Sequence, residues 1–146
     1  MPTQGRDCSV ANALAVVGER WSLLALREVM FGVRRFDQIA RNTGASRDIL
    51  TARLRSLEAE GVLARRQYET RPPRYEYVLT EAGRALHTVL LTLMQWGDRY
   101  VTEGDPPTVW EHECGAVLQA KLVCDHCGAE IRGDSLTPRR MGRVPA

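Results

Sequence analysis

The chain has 146 residues, 44% of them hydrophobic, and a formal net charge of +2. That suffices for one ordinary domain with its own core and a small appendage. The longest apolar stretches, around 21–31 and 89–94, are far too short to cross a bilayer, and no secretory leader pattern opens the chain, so a cytoplasmic protein with no membrane partner is expected. The charge is uneven. From Arg34 to Arg74 ten arginines face five acids, giving +5, while the remainder has ten basic against thirteen acidic residues, giving −3. A basic middle on a mildly acidic body suits a phosphate-binding surface, and equally a solvated arginine-rich face.

In chain order, Val10, Ala13, Leu14 and Val17 recur at helix spacing, and Gly18 ends that run. A second helix is expected over 21–31, apolar around most of its circumference and therefore central, with Gly32 as its stop. Phe36, Ile39 and Ala40 share one face of a short helix that ends at Thr43-Gly44. Ser46 is a fitting N-cap for the next helix, with Asp48 in its first turn and an apolar stripe of Ile49, Leu50, Leu54 and Leu57. Gly61 closes it near Ala59. Two short helices joined by a tight glycine turn make a helix-turn-helix.

Residues 62–68 and 74–79 follow as short β runs. Between them Glu69-Thr70-Arg71-Pro72-Pro73 is expected to be turn, too rich in proline for a strand interior. A hairpin directly after a helix-turn-helix is a wing. Thr80 then caps a long helix whose wide apolar face holds Leu86, Val89, Leu90, Leu93, Met94 and Trp96. Gly104-Asp105-Pro106-Pro107 reads as a linker. The expected organisation is a winged helix-turn-helix over 1–104, a small extension over 105–136, and a disordered tail over 137–146. The fold class is mainly α with a small β-hairpin.

A helix of this size fits the major groove, where its outward polar side chains meet base edges. On the 46–59 helix Asp48, Thr51, Ala52, Arg55 and Ala59 point away from the apolar stripe. Arg55 is suited to a guanine edge or a phosphate, and Thr51 or Ala52 to a thymine methyl. Ser46 and Arg47 sit at the helix N-terminus, where backbone amides favour a phosphate. Arg53 lies on the apolar side and reads as a snorkelling or ion-paired structural arginine. Arg71 and Arg74 flank the wing tip and suit the minor groove or its phosphates. Arg35, just ahead of the third helix, completes the set of double-stranded DNA contacts.

The segments Cys8-Ser9-Val10, Glu19-Arg20-Trp21-Ser22-Leu23-Leu24 and Arg35-Phe36-Asp37-Gln38-Ile39, together with the run from Leu50 to Glu58, Gly61-Val62-Leu63, Tyr75-Glu76-Tyr77-Val78-Leu79-Thr80 and Gly83, occur here in one order. In that order they resemble the HxlR family of winged-helix regulators over roughly residues 8–103. The resemblance implies a homodimer formed through the N-terminal and long C-terminal helices, bound to an inverted-repeat operator. It also gives Cys8 the position of a cysteine that, in some relatives, responds to oxidants or electrophiles. The helix N-terminus at Cys8 and nearby Arg6 would favour its thiolate, against Asp7; the competing reading is a buried, inert thiol.

Four metal-type residues follow the linker: His112, Cys114, Cys124 and Cys127. Cys124-Asp125-His126-Cys127-Gly128 is a knuckle whose C-x2-C spacing places two thiolates on one metal. Cys114-Gly115 is half of a second knuckle. Its partner His112 stands one residue closer than that spacing, and Glu111 holds the usual place, so the fourth ligand stays open. Structural zinc is expected, with a disulfide or unliganded thiols as alternatives; His126 is expected to face solvent. A zinc deaminase needs H-x-E and P-C-x-x-C, but here Glu113 follows His112 directly and Val123 precedes Cys124, so no enzyme is expected. The functional expectation is a sequence-specific transcription regulator, redox- or electrophile-responsive. The alternative is a protein-interaction module of the transcription machinery that has no operator of its own.

Overall fold

The structure, a computed structural model, describes residues 5–144; residues 1–4 and 145–146, which include the end of the expected disordered tail, lie outside the described residues. Two compact units are present. Residues 7–90 form one, and the described residues from 91 onward, with residues 5–6, form the other.

The 7–90 unit runs α1 (Ser9–Val17), α2 (Arg20–Met30), α3 (Phe36–Thr43), α4 (Arg47–Ala59), β1 (Leu63–Thr70), β2 (Pro73–Leu79) and the first half of α5 (Glu81–Tyr100). Four of the helix boundaries have a local cause. Gly18 is the C-cap of α1. Gly44 takes the left-handed conformation at φ 75° and turns the chain from α3 to α4 without the Cβ penalty another residue would meet. Ser46 caps α4 by accepting from the Ile49 amide at 3.3 Å. Thr80 caps α5 by accepting from the Gly83 amide at 3.2 Å, while its hydroxyl donates to the Gly61 carbonyl at 2.6 Å.

The core is the meeting of α2, α3, α4 and the base of the hairpin. Leu26, Ile39, Leu50, Leu54, Leu57 and Leu63 are fully buried there. Every residue of α2 from Trp21 to Met30 is at least half-buried, as expected of a central helix. Glu28 is a buried carboxylate within this helix. It accepts from Arg27 at 2.8 Å and from the Asn42 side chain at 2.7 Å, which ties α2 to α3.

Two sequence expectations change. Ile49 is not part of the buried stripe of α4 but 42% exposed: it lies about 100° from Leu50 around the helix, off the line of Leu50, Leu54 and Leu57. The proline-rich segment is not all turn. The antiparallel ladder runs from Leu63↔Leu79 to Thr70↔Pro73, leaving only Arg71-Pro72 at the tip. Pro73 is tolerated because it is the first residue of its strand and the hairpin has no third strand to satisfy. A register shift between Gln67 and Glu69 leaves Tyr68 without a cross-strand partner, and such a bulge re-aims the side chain it carries.

In the other unit α5 continues to Tyr100. Beyond it, two isolated antiparallel bridges, Glu111↔Val117 and Val123↔Glu130, and a single 3-10 turn over Gly133–Ser135 are the regular structure among the described residues. Gln95 holds this segment to α5: its side chain accepts from the Ala120 amide at 2.7 Å and donates to the Ala120 carbonyl at 3.1 Å.

Candidate nucleic-acid interface

Helix α4 presents one face to solvent. Ser46, Arg47, Asp48, Ile49, Ala52, Arg55 and Ala59 are exposed, and Thr51 is half-buried beside them. The small side chains at Thr51 and Ala52 leave the middle of this face low, with Arg55 rising at its C-terminal side. Arg53 sits apart and approaches Glu19 at 4.0 Å, the ion-paired arrangement expected of it.

Ion pairs sort the arginines of the basic stretch. Arg47 donates to Asp37 at 2.7 Å and lies over the Phe36 ring at 4.8 Å, bracing the α3–α4 corner. Arg65 pairs with Glu58 at 3.1 Å. Arg74 pairs with Glu69 across the hairpin at 3.2 Å. Glu76 takes both Arg66, whose Nε and Nη2 donate to the same carboxylate oxygen, and Arg34 at 3.8 Å; the Arg66 hydrogen bond above all holds its carboxyl below the usual carboxylate range. Arg35, Arg41, Arg55 and Arg71 form no ion pair among the described residues. The excess positive charge of the stretch is therefore concentrated on α3, α4 and the wing tip.

Arg35 is the N-cap residue of α3. Its guanidinium lies 4.6 Å over the ring of Tyr68, the residue displaced by the bulge. The two edge an open cleft of about 410 Å³ between α3 and the wing, lined also by Gln38, Arg74 and Tyr75. A cleft with arginine on both walls, beside a helix N-terminus, suits a backbone phosphate. The sequence offered no sign of Tyr68 beyond a break in strand alternation, and none of the exposure of Ile49. Ile49 adds an apolar side chain to the α4 face, of the kind that meets a thymine methyl.

Cys8 is the N-cap residue of α1 and is exposed in the single chain. Its carbonyl accepts from the Asn12 amide at 3.0 Å. The metal-type residues lie in two separate turns, His112 with Cys114 in the first and Cys124 with Cys127 in the second. Backbone amides of Cys127 and His126 donate to the Cys124 sulfur and lower its pKa. His126 is exposed, as expected. Among the described residues no three His, Cys, Asp or Glu side chains converge closely enough to hold a metal ion as they stand. No helix among the described residues is long and apolar enough to cross a membrane.

Residues 16–105 match the HxlR-like helix-turn-helix family. The uncharacterised HTH-type transcriptional regulator Rv3095 of Mycobacterium tuberculosis is 51% identical over 132 residues, covering 89% of this chain and 84% of that protein. The crystal structure of PA1607, a proposed transcription factor, has a TM-score of 0.80 at 31% identity and covers 92% of this chain and 95% of that one. The redox regulator HypR in its oxidised form has a TM-score of 0.60 at 34% identity; all of that chain is matched, but only 66% of this one. Rv3095 and PA1607 are described as a transcriptional regulator and a transcription factor, and HypR as a redox regulator; none is described as an enzyme.

Proposed function

The chain belongs to the HxlR-like helix-turn-helix family of transcriptional regulators, and from that premise we propose that it acts as a homodimer that binds an inverted-repeat operator in duplex DNA. The observation that carries the reading is the exposed face of α4, where Arg55, in no ion pair among the described residues, stands beside the low surface of Thr51 and Ala52. In this assignment α4 enters the major groove. Arg55 reads a base edge, and Asp48, Ile49, Thr51 and Ala52 lie against the neighbouring bases. Ser46 and Arg47 meet the phosphate at the helix start. Arg71 reaches past the wing tip, and Arg35 and Arg74 flank a backbone phosphate in the cleft below it.

The dimer is supported by apolar surface that a single chain leaves uncovered. Val89, Leu93, Trp96 and Tyr100 repeat along one side of α5 and are each 50% exposed or more. On α1, Val10 and Leu14 are 64% and 56% exposed. Helix faces of this kind in a water-soluble regulator need a partner, and two copies related by a twofold axis give one recognition helix to each half-site. Selection from random duplex DNA by the purified protein tests the reading: an enriched motif of two related half-sites supports it, and no motif at moderate salt contradicts it.

An oxidant or electrophile is the effector we assign, with Cys8 as its target. The thiol is exposed at the start of α1, and α1 carries part of the uncovered apolar surface, so a modified Cys8 alters the surface through which the dimer forms. A relative, HypR, is itself named a redox regulator. Diamide or methylglyoxal is expected to change operator affinity in the wild type and to leave Cys8→Ser unaffected; an equal response in both proteins contradicts the assignment.

A further inference from the structure

The segment after α5 has no core of its own. No residue between 104 and 136 is buried, and Val109, Val117, Leu122, Val123 and Leu136 are each half-exposed or more. Apolar burial alone cannot order a piece of this size. Yet it contains two tight turns built to one plan. In the first, closed by the bridge Glu111↔Val117, the His112 amide donates to the Ala116 carbonyl at 2.9 Å and the Gly115 amide to the His112 carbonyl at 2.8 Å. In the second, closed by Val123↔Glu130, the Cys124 amide donates to the Ala129 carbonyl at 2.9 Å and the Gly128 amide to the Cys124 carbonyl at 2.7 Å. Gly115 and Gly128 have φ of 84° and 72°.

The two patterns match at their ends, the second turn being one residue longer. His112 takes the place of Cys124, Cys114 that of Cys127, and Gly115 that of Gly128. Each turn thus holds a pair of metal-type donors at the same two places, followed by a left-handed glycine. The match favours His112 over Glu111, which spacing left open. Glu111 keeps the x2 distance from Cys114, but it lies outside the turn, in the bridge with Val117, where its counterpart is Val123. His112 is the residue inside the turn. His126 has no counterpart in the shorter first turn.

We propose that these two turns are the halves of a single structural zinc site, with His112, Cys114, Cys124 and Cys127 as its four ligands. One imidazole and three thiolates form a closed tetrahedral set typical of structural zinc. The amides of His126 and Cys127 already donate to the Cys124 sulfur, the support a metal-bound thiolate takes from its backbone. Among the described residues no three donors converge as they stand; in this proposal the metal draws the two turns together, so that binding is coupled to ordering of the segment. The proposal is independent of the DNA reading, because none of these residues belongs to α3, α4 or the wing.

Zinc content and native mass of the full chain, purified without a His-tag under reducing conditions, test it. One zinc per chain is expected. Cys114→Ser, Cys124→Ser and His112→Ala should each weaken zinc binding by more than the roughly 10–100-fold lost with a supporting hydrogen bond, and Glu111→Gln should leave it unchanged. Cobalt substitution should give thiolate-to-cobalt charge-transfer absorption that falls in Cys114→Ser. All four variants should keep the helical circular dichroism of the wild type, since the helices lie outside the segment, so metal loss is separable from unfolding. Negligible zinc in fresh, reduced protein overturns the proposal. So does zinc binding that is insensitive to both His112→Ala and Cys114→Ser, or weakened by Glu111→Gln but not by His112→Ala.

Discussion

Arg55 and Arg47 stand two turns apart on the same helix, yet their surroundings give them different work. Arg47 is engaged with Asp37 and the Phe36 ring, whereas Arg55 forms no ion pair among the described residues. If Arg55 holds a guanine edge with two hydrogen bonds, Arg55→Ala should cost about 1–3 kcal/mol on the operator and relax specificity at one base pair. Competitive binding to operator variants measures both effects. Arg71, at the wing tip, is a phosphate contact in this account: Arg71→Ala should weaken all sequences alike and reduce the salt slope by about 1. A salt titration checks this, and a sequence-selective loss would place Arg71 on a base instead. At this scale the sequence was only partly readable. The helical wheel placed Arg55 and Ala52 correctly on the exposed face and Arg53 off it, because period alone decides those positions. It could not foresee that Arg74 pairs with Glu69 or that Tyr68 meets Arg35, since both depend on hairpin register and on a bulge.

Each element of the helix-turn-helix has a boundary cause visible in the sequence, and this is why the helices were legible while the wing was less so. Glycine stops and hydroxyl caps act locally; the extension of the ladder to Pro73 depends on pairing across the hairpin. The junction between wing and α5 is the most sharply constrained. A Cβ at Gly83 would lie 2.2 Å from the Val62 carbonyl oxygen, a backbone atom that cannot swing aside. That carbonyl also accepts from the Thr80 amide at 3.2 Å. Gly83→Ala should therefore destabilise the 7–90 unit by about 1–3 kcal/mol, the usual cost of overpacking. Thr80→Ala, which removes the cap of α5, should cost about 1 kcal/mol. Urea denaturation followed by circular dichroism measures both, and a Gly83→Ala protein as stable as the wild type would show that the approach of α5 to Val62 is not required.

For the whole molecule, the account rests on two copies acting together. One α4 reads few base pairs, and the apolar side of α5 is left bare in a single chain. Leu93→Glu places a charge in the middle of that face and should convert the dimer to monomer in sedimentation analysis, with operator affinity falling in parallel. A dimer that survives Leu93→Glu would move the interface elsewhere. The sequence carried the existence of this face, since its period is helical, but not its division: Leu86 and Leu90 pack on the core, while Val89, Leu93 and Trp96 face outward. The measurement that tests the central claim most directly is selection of binding sites from random duplex DNA by the purified, reduced protein at moderate salt. The account predicts an enriched motif of two inverted half-sites whose centres are about one helical turn, roughly 10 base pairs, apart. Enrichment of no motif, with only weak salt-sensitive binding to every duplex, would contradict it.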